Sequence, residues 1–260
     1  MEIIDLNDFH RNTYIKCLED WSDEMAESGN KKAEWYDIYK EKGLKVKLAI
    51  VDEKAVGMIQ YIPVEHSFIL GKNLYFVYCI WIHGYKEGIG NYQHKGMGKE
   101  LILAAEEDVR SLGADGIVAW GITMPFWMKA SWFKKQGYTA VDRDGMAKLM
   151  WKPFNDNAEK PKWVKQKKKP KSEPGRVTVT SFINGWCPAQ NIVHERAKRA
   201  CEDMGKSVIF NEINTSITDN FNECGIRDAL YIERKRISNG PPLTYEKIKR
   251  KIEKQIKRVK

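Results

Sequence analysis

The sequence is poor in cysteine, and its cysteines follow no paired spacing. Five cysteines are spread over 260 residues, at positions 17, 79, 187, 201 and 224. Disulfide frameworks and zinc sites both need cysteines or histidines at characteristic short intervals. The set formed by Cys187, His194, Cys201 and Cys224 lacks that spacing, so no metal is expected. This cysteine usage is typical of a reducing compartment.

Long apolar runs are missing as well. No apolar run approaches the ~18–20 residues needed to cross a bilayer. The opening stretch MEIIDLNDFHRN is too polar to contain the apolar core of a secretory signal. We therefore expect a soluble cytoplasmic protein with no membrane partner.

Positive charge is not spread over a folded region. The formal net charge is +9, yet residues 1–151 carry 19 Lys and Arg against 22 Asp and Glu, and residues 177–243 carry 8 of each kind. The excess lies in residues 152–176, with 9 basic against 3 acidic residues, and in residues 244–260, with 8 against 2. Nucleic-acid-binding folds more often present a basic stripe, so a nucleic-acid partner is not expected; a solvated connector and tail are the simpler interpretation.

Residues 152–175 interrupt the apolar periodicity of the chain. Four of the nine prolines fall in this segment, together with a run of lysines. Proline and like charge both favour an extended, semi-rigid connector. We predict a larger domain over 1–152, a basic Pro/Lys-rich linker over 153–176 and a smaller domain over 177–260.

The first part of the chain alternates helix and strand signals. The pattern predicts, in order, helices over 8–28 and 31–42, two strands around the turn at 52–54, a long apolar strand over 73–83, a helix ending at Leu112, a buried strand over 116–122, a helix that Pro125 starts and Gly137 ends, and a hairpin around Asp144-Gly145. This order indicates a mixed α/β (α+β) fold with a central mixed sheet flanked by helices.

The smaller domain is also α/β. A strand, a helix with Pro188 in its first turn and a second strand predict a parallel βαβ unit. The tail over 244–259 is predicted as a helix with Thr244 as its N-cap. Its apolar stripe consists of Tyr245, Ile248, Ile252, Ile256 and Val259.

Two glycines stand at the mouth of one predicted helix, in Gln93-His94-Lys95-Gly96-Met97-Gly98. A helix N-terminus leaves backbone N–H groups without partners, and glycine lets the backbone curl around an anion. Lys95 and Lys99 add positive charge. The stretch is neither a P-loop nor a full dinucleotide fingerprint. Taken alone it fits a phosphate cradle or a tight strand-to-helix turn.

These residues resemble the signature motif of a known protein family. The stretch from Gln93 to Gly98 matches the Gln/Arg-x-x-Gly-x-Gly/Ala motif of the GNAT superfamily of N-acetyltransferases, and its flanking strand and helix match as well. The string SWFKKQGY is similar to the family's aromatic-x-x-x-Gly-Phe/Tyr element. The resemblance covers residues 2–151, and the coupling to a second domain looks like that of YoaP-type GNAT proteins.

The resemblance implies acetyl-CoA as cosubstrate and a primary amine of a small molecule or peptide as acceptor. The implied pyrophosphate site comprises Gln93, His94, Lys95, Gly96, Met97, Gly98 and Lys99. The pantetheine arm would pair with the backbone of Ile80, Trp81 and Ile82. The amine would attack the thioester directly, with an N–H near Ile82 stabilising the oxyanion. A homodimer stays open.

The sequence departs from the family pattern at two places. Residues 84–91 lengthen the connection before Gln93, which suggests part of an acceptor pocket or a lid. Phe133 stands where the family often has a tyrosine that protonates the leaving thiolate. Tyr138, Tyr92 or a water are the alternatives, and a non-catalytic acyl-CoA sensor is a competing interpretation.

A general base is also needed, to remove a proton from the amine. Glu65 follows the predicted strand over 55–64 and His83 ends the one over 73–83, which the resemblance places where GNAT sheets open to the acceptor; His66 and Glu87 are further options. For each of these residues a structural or solvated role is the simpler interpretation. The aromatic cluster of Phe126, Trp127 and Trp132 is expected mainly in the core, with a role in lining the acyl or acceptor site as the alternative.

A second resemblance starts at Trp186-Cys187-Pro188. A strand, this turn and a helix are similar to the active-site turn of thioredoxin-like domains, in which a helix N-terminus stabilises the thiolate. Gln190 stands in place of the second cysteine, and Ala229 in place of the family's cis-proline. A dithiol oxidoreductase is therefore disfavoured. A monothiol role for Cys187 and a retained turn on a binding or structural module both stay open.

Overall fold

The chain forms two compact units in the computed structural model, which describes residues 1–19, 22–124, 127–237 and 241–259. The first unit comprises Met1–Trp21 and Tyr36–Val164. The second comprises Ser22–Trp35 and Lys165–Lys260. The domain and linker boundaries inferred from the sequence stay a prediction, since compactness does not test independent folding.

The first unit is built on a seven-stranded mixed sheet with the strand order β1-β2-β3-β5-β6-β8-β7. Its strands are β1 (Glu2–Asp5), β2 (Lys45–Val51), β3 (Lys54–Pro63), β5 (Leu74–Ile82), β6 (Gly116–Ile122), β7 (Thr139–Asp144) and β8 (Ala147–Pro153). Only β5 and β6 run parallel. A separate short pair is formed by β4 (Ile69–Leu70) and β9 (Lys162–Trp163).

Helices cover both faces of this sheet. These helices are α1 (Asp8–Ile15), α3 (Met97–Ser111) and α4 (Ala130–Lys135), whereas most of α2 (Asp23–Lys40) belongs to the second unit. On one face, Leu101 of α3 packs in a core cluster with Ile59 of β3. On the other, Tyr14 of α1 donates a hydrogen bond to Gln60 Oε1 at 2.7 Å. Neighbouring strand residues point to opposite faces, so α1 and α3 lie on opposite sides. The predicted sheet flanked by helices is confirmed.

The parallel pair β5–β6 is held together over only part of its length. The register joins Leu74 to Gly116, Tyr75 to Ile117 and Phe76 to Val118, and pairing stops there. On its other edge β5 carries a bulge against β3 at Tyr78, because Gln60 pairs with Cys79 and Tyr61 with Val77. Beyond the bulge, the second half of β5 has no sheet partner on the β6 side among the residues that the structure describes. We call this gap the β5–β6 opening.

The second unit contains a four-stranded sheet in the order β11-β10-β12-β13. Its elements are β10 (Val177–Ile183), α5 (Pro188–Met204), β11 (Val208–Asn214), α6 (Thr218–Cys224), β12 (Ala229–Ile232), β13 (Lys235–Arg236) and α7 (Tyr245–Val259). Strands β10 and β11 are parallel and joined through α5, which confirms the predicted βαβ unit. The other two pairings are antiparallel.

Helix α7 closes this unit. The N–H of Lys247 donates to Thr244 Oγ1 at 3.4 Å, so Thr244 caps the helix as predicted. Ile248 and Ile252 are fully buried against the core, with Tyr245 and Ile256 packed beside them. Val259, the last residue of the predicted stripe, is 40% exposed.

Two predicted helix boundaries are wrong. The helix predicted over 8–28 ends at Ile15, because Cys17 and Leu18 adopt left-handed backbone angles, φ 53° and 66°. The break predicted at Gly29-Asn30 does not occur: α2 continues through it, since burial of Ser28, Lys32 and Trp35 outweighs the poor helix propensity of glycine.

The third helix error concerns α4. This helix begins at Ala130, and Ile122 N–H donates to Met128 O at 2.8 Å, which keeps residues 127–129 out of the helix. Pro125, the predicted start, and Phe126 lie outside the described residues.

Within the described ranges, no helix combines the length and apolar character that a membrane span requires.

Candidate active site

The glycine stretch forms a curled loop that leads into α3. Gly96 is the N-cap residue, in a left-handed conformation with φ 86°, and His94 is also left-handed with φ 64°. Left-handed residues alternating with ordinary ones turn successive N–H groups towards one side, a geometry that binds anions. A Cβ at Gly96 would meet no atom within 4 Å, so the space in front of the helix is open.

The charges around this loop suit an anionic ligand. The α3 N-terminus has no side-chain cap. The Lys99 N–H donates to Gly96 O at 2.9 Å, so Met97 and Gly98 are the first-turn residues whose N–H groups can reach a ligand. His94, Lys95 and Lys99 are exposed beside them. Lys95 Nζ lies 4.7 Å from the centroid of the Tyr92 ring, a cation–π contact that keeps the ammonium at the loop. The predicted pyrophosphate set therefore comes together at one helix end, in a form that fits a diphosphate.

Gln93 ties this loop to the end of β5. Its Nε2 donates to Ile82 O at 3.3 Å, and its own N–H donates to Asn91 Oδ1 at 2.9 Å. Gly84 makes room for the side-chain amide, because a Cβ at Gly84 would collide with it. The loop and the β5–β6 opening are thus fixed to each other at Gln93.

The backbone of β5 presents alternate N–H groups to the opening. The N–H of Ile80 donates to Met128 Sδ at 3.5 Å, on the side facing away from β3. The N–H of His83 donates to Val56 O instead, towards β3. Because strand residues alternate, Ile80 and Ile82 direct their N–H groups to the opening, whereas Trp81 directs its own to β3. The predicted pantetheine set is therefore brought to the opening through Ile80 and Ile82.

His83 directly follows β5 and is fully buried. Its Nδ1 lies 2.7 Å from Gly90 O. A carbonyl only accepts hydrogen bonds, so Nδ1 carries the proton and Nε2 is the basic nitrogen of the neutral ring. Tyr85 packs edge-on with its ring centroid at 5.8 Å. The lengthened 84–91 segment thus both orients and covers His83.

Glu65 is not brought near His83. It lies in a short 3-10 helix, Val64–His66, which follows the end of β3. Since β3 and β5 are antiparallel, Pro63 pairs with Tyr75 at the start of β5, whereas Gly57 pairs with Ile82 at its end. The two predicted bases are therefore separated by most of a strand, roughly 26 Å for eight residues. His66 is exposed next to Glu65, and Glu87 lies in the 84–91 segment.

Tyr138 is a core residue. Its ring packs against Phe133, which is itself fully buried, and Lys152 Nζ lies 5.6 Å from its centroid. Burial and the nearby Glu106 carboxylate raise the pKa of Tyr138 well above its ordinary range. The structure does not bring this phenol to the β5–β6 opening.

Aromatic residues border the opening. Trp132 lies 3.4 Å from the position a Cβ would take at Gly98. Trp127 packs edge-on against Trp120 of β6, with ring centroids 5.2 Å apart. Phe126 belongs to the residues that are not described. Both Trp127 and Trp132 are partly buried against the core cluster, and Trp132 also lies beside the start of α3.

Two residues of the opening were missed in the sequence. Trp120 Nε1 donates to Tyr78 O at 2.8 Å, which links β6 to β5 where their backbone pairing has ended. Met128 supplies the thioether that caps the Ile80 N–H. For Trp120 the available signal was a single aromatic residue in the otherwise aliphatic and glycine-containing strand GIVAWGI. No local pattern marked the second.

Cys187 of the second unit lies beneath the surface. It is the N-cap residue of α5 and is 6% exposed. Its turn is fastened to the start of β12, because the N–H of Asn184 and the Nε1 of Trp186 donate to the Asp228 carboxylate at 2.9 and 2.8 Å. Burial raises the pKa of Asp228. This arrangement differs from the accessible thiol of a redox site.

Among the described residues, no group of three His, Cys, Asp or Glu side chains is arranged to hold a metal ion.

Solved structures similar to this chain include several acetyltransferases. PaiA N-acetyltransferase from Thermoplasma acidophilum in complex with coenzyme A is 20% identical, with a TM-score of 0.42 over 59% of this chain and 98% of that one. A GNAT family acetyltransferase from Brucella melitensis in complex with acetyl-CoA is 16% identical, with a TM-score of 0.41 over 59% and 88%. Ribosomal-protein-alanine N-acetyltransferase from Brucella melitensis is 13% identical, with a TM-score of 0.45 over 59% and 100%.

No curated protein matches the chain. The model of the acetyltransferase (GNAT) family matches residues 5–138, just over half of the sequence. This match confirms the predicted acyltransferase: the chain belongs to the acetyltransferase (GNAT) family.

Proposed function

We propose that the protein transfers an acetyl group from acetyl-CoA to a primary amine of a small molecule or peptide. The observation that carries this proposal is the junction at Gln93. It joins an uncapped helix N-terminus to a strand edge that directs the N–H groups of Ile80 and Ile82 to the opening, the first of them held by the Met128 thioether. A ligand that carries both a diphosphate and an amide-bearing arm needs two adjacent sites, one that binds an anion and one that offers backbone N–H groups. The fit supports acetyl-CoA as the donor.

The residues at the opening have distinct roles in this proposal. The backbone N–H groups of Ile80 and Ile82 hold the pantetheine amide and stabilise the oxyanion that develops during attack. Met128 gives up its contact with Ile80 when the donor binds. His83, through Nε2, removes a proton from the attacking nitrogen. Phe133 has no proton to give, so the leaving sulfur takes its proton from solvent.

Thiol release with acetyl-CoA and a panel of amines tests this function. We expect release only with amines that present a free primary group. His83→Gln is expected to lower kcat/KM by about 10²-fold without weakening acetyl-CoA binding, since it removes only the proton acceptor. Acetyl-CoA binding without thiol release for any amine would instead favour the acyl-CoA sensor.

For the second unit we propose a thioredoxin-like domain whose Cys187 is a retained structural residue. The parallel β10–β11 pair and the Cys187-Pro188 start of α5 support the fold assignment. Burial of Cys187 favours a structural role over a monothiol role. Reaction of the native protein with a thiol reagent tests it: we expect Cys187 to react only after unfolding, whereas rapid native labelling, with a thiol pKa well below ~8.5, contradicts it. We also infer a cytoplasmic location from the cysteine usage.

A further inference from the structure

The end of α1 lies over the sheet face opposite α3. Tyr14, one residue before the end of α1, donates to Gln60 at 2.7 Å, and Gln60 pairs with Cys79 next to the β5 bulge. Trp81 and His83 share the Cys79 face of β5 because strand side chains alternate. The segment that follows α1 therefore starts above the sheet face that carries Trp81 and His83.

A tight turn follows α1. Cys17 and Leu18 are consecutive non-glycine residues with φ 53° and 66°, a conformation that L-residues rarely adopt. The N–H groups of Cys17 and Leu18 donate to Tyr14 O and Thr13 O, both at 2.9 Å, and Glu19 N–H donates to Lys16 O at 3.0 Å. Leu18 is 1% exposed and anchors the turn in the core. Strained backbone that is held this firmly is typical of functional sites.

Glu19 follows this turn and is half-buried. Burial, and after it the negative charge of Glu19, raise the pKa of Tyr85. The Tyr85 ring in turn lies 6.0 Å from that of Trp81 and 5.8 Å from that of His83. In the described part of the chain, no lysine, arginine or histidine pairs with the Glu19 carboxylate. A half-buried carboxylate without a counter-ion, next to aromatic rings, is suited to a cationic ligand.

We propose that Glu19 binds the ammonium group of the acceptor and accepts its first proton. This inference rests on the proposed acetyltransferase function and names the acceptor class: a primary amine that arrives as a cation with an apolar or aromatic flank, which packs on Trp81 and Tyr85. Burial raises the pKa of Glu19 to about 7. A carboxylate with this pKa can accept a proton near neutral pH, which agrees with the role.

The proton balance assigns separate steps to Glu19 and His83. One proton moves from the ammonium to the Glu19 carboxylate, and the neutral nitrogen attacks the thioester carbonyl carbon. The C–N bond forms and the C–S bond breaks. The second proton leaves the nitrogen through His83, while the thiolate takes a proton from water. Glu19 and His83 then return one proton each to solvent, so one proton is released in total.

The test compares Glu19→Gln with Glu41→Gln, an exposed glutamate just after α2 that serves as the matched control. Rates are measured with acetyl-CoA and three probes: phenethylamine, putrescine and a tripeptide with a free N-terminus. We expect Glu19→Gln to lower kcat/KM by at least about 10²-fold, with a raised KM for the amine. Acetyl-CoA affinity is expected to change by less than about twofold in both variants, which shows that Glu19→Gln is folded.

The pH profile gives a readout that a structural role would not move. The carboxylate form is the active one, so wild-type kcat/KM is expected to rise as pH increases through about 7. The Tyr85 hydroxyl of the 84–91 segment is a titratable group that responds to the charge of Glu19. His83 packs edge-on against the Tyr85 ring, and Cys17 lies two residues before Glu19 in the same turn. Glu19→Gln is expected to lose this rising limb, while Glu19→Asp retains it at a reduced rate.

The failures are distinguishable. If the wild type releases no thiol with any probe, the acetyltransferase function falls and this inference with it. A different outcome is an active wild type together with a Glu19→Gln variant whose kcat/KM stays within about threefold and still rises with pH. In that case only the role of Glu19 is overturned.

Discussion

Gln93 links two parts of the site through a single side chain. Its amide reaches back to Ile82 O, and this contact depends on Gly84 having no side chain. A methyl group at Gly84 would collide with the flexible side chain of Gln93 and not with backbone atoms. The effect should therefore appear in ligand binding more than in stability.

The Gly84→Ala substitution tests this link. We expect it to weaken acetyl-CoA binding by about tenfold, since Gln93 must leave the Ile82 carbonyl and the loop loses its anchor. In a Gln93→Ala background the same substitution should have almost no further effect, because the clashing amide is gone. Isothermal titration of the wild type, both single variants and the double variant measures the coupling. Additive losses would show that Gly84 acts on the loop by another route.

At the scale of elements, those with strong periodicity could be predicted from the sequence. The strand over 116–122 and the helix from Pro188 were recognisable because apolar period, proline and glycine agree there. The full length of helix α2 could not be predicted. Gly29-Asn30 is a local signal for a helix end, whereas the burial of Lys32 and Trp35, which overrides it, arises from tertiary packing.

The same limit applies to the candidate site. The Gln93–Lys99 loop is one contiguous motif, so its residues could be predicted together. Glu65 and His83 each follow a strand, but only the antiparallel order of β3 and β5 separates them. Glu19 has no motif at all. Its candidacy depends on the geometry of the turn and on the lack of a counter-ion among the described residues, and both are properties of the folded chain.

Helix α7 permits a test at the scale of one element. Ile252 is fully buried in its contact with the second unit's core, whereas Val259 on the same helix is 40% exposed. We expect Ile252→Ala to lower the free energy of unfolding by about 2–5 kcal/mol and Val259→Ala by less than about 0.5 kcal/mol. Urea unfolding followed by circular dichroism measures both. Equal effects would mean that α7 is not docked through this face.

At the scale of the whole molecule, the second unit is assembled from distant parts of the chain. Residues 22–35 belong to it together with residues 165–260. Arg196 donates to both carboxylate oxygens of Glu24, at 2.8 and 2.5 Å, and Arg199 pairs with Glu27 at 2.8 Å. Asn191 Nδ2 also donates to Ser28 O at 3.1 Å. Residues 22–35 thus pack with the C-terminal sheet unit through ion pairs and a buried hydrogen bond.

A charge exchange tests this assembly. Arg196→Glu places two carboxylates together at a partly buried position and should destabilise the protein by about 1–3 kcal/mol. Adding Glu24→Arg should recover much of that loss, because the pair is restored in reverse. The matched control is the exchange of the exposed pair Arg176 and Glu173, where each step should cost less than about 1 kcal/mol. Denaturant unfolding that shows no recovery in the double variant would contradict the proposed contact.

The central claim is that the curled loop at Gly96 holds the donor, and acetyl-CoA titration of three proteins tests it most directly. Gly96→Val and Gly113→Val put the same β-branched side chain at two left-handed glycines, φ 86° and 78°, at opposite ends of α3. Both should strain the backbone similarly, but only the first places a side chain in the cradle. We predict that wild type and Gly113→Val bind acetyl-CoA, and that Gly96→Val binds at least about tenfold more weakly. No binding by the wild type, or equal binding by the two variants, would contradict the account.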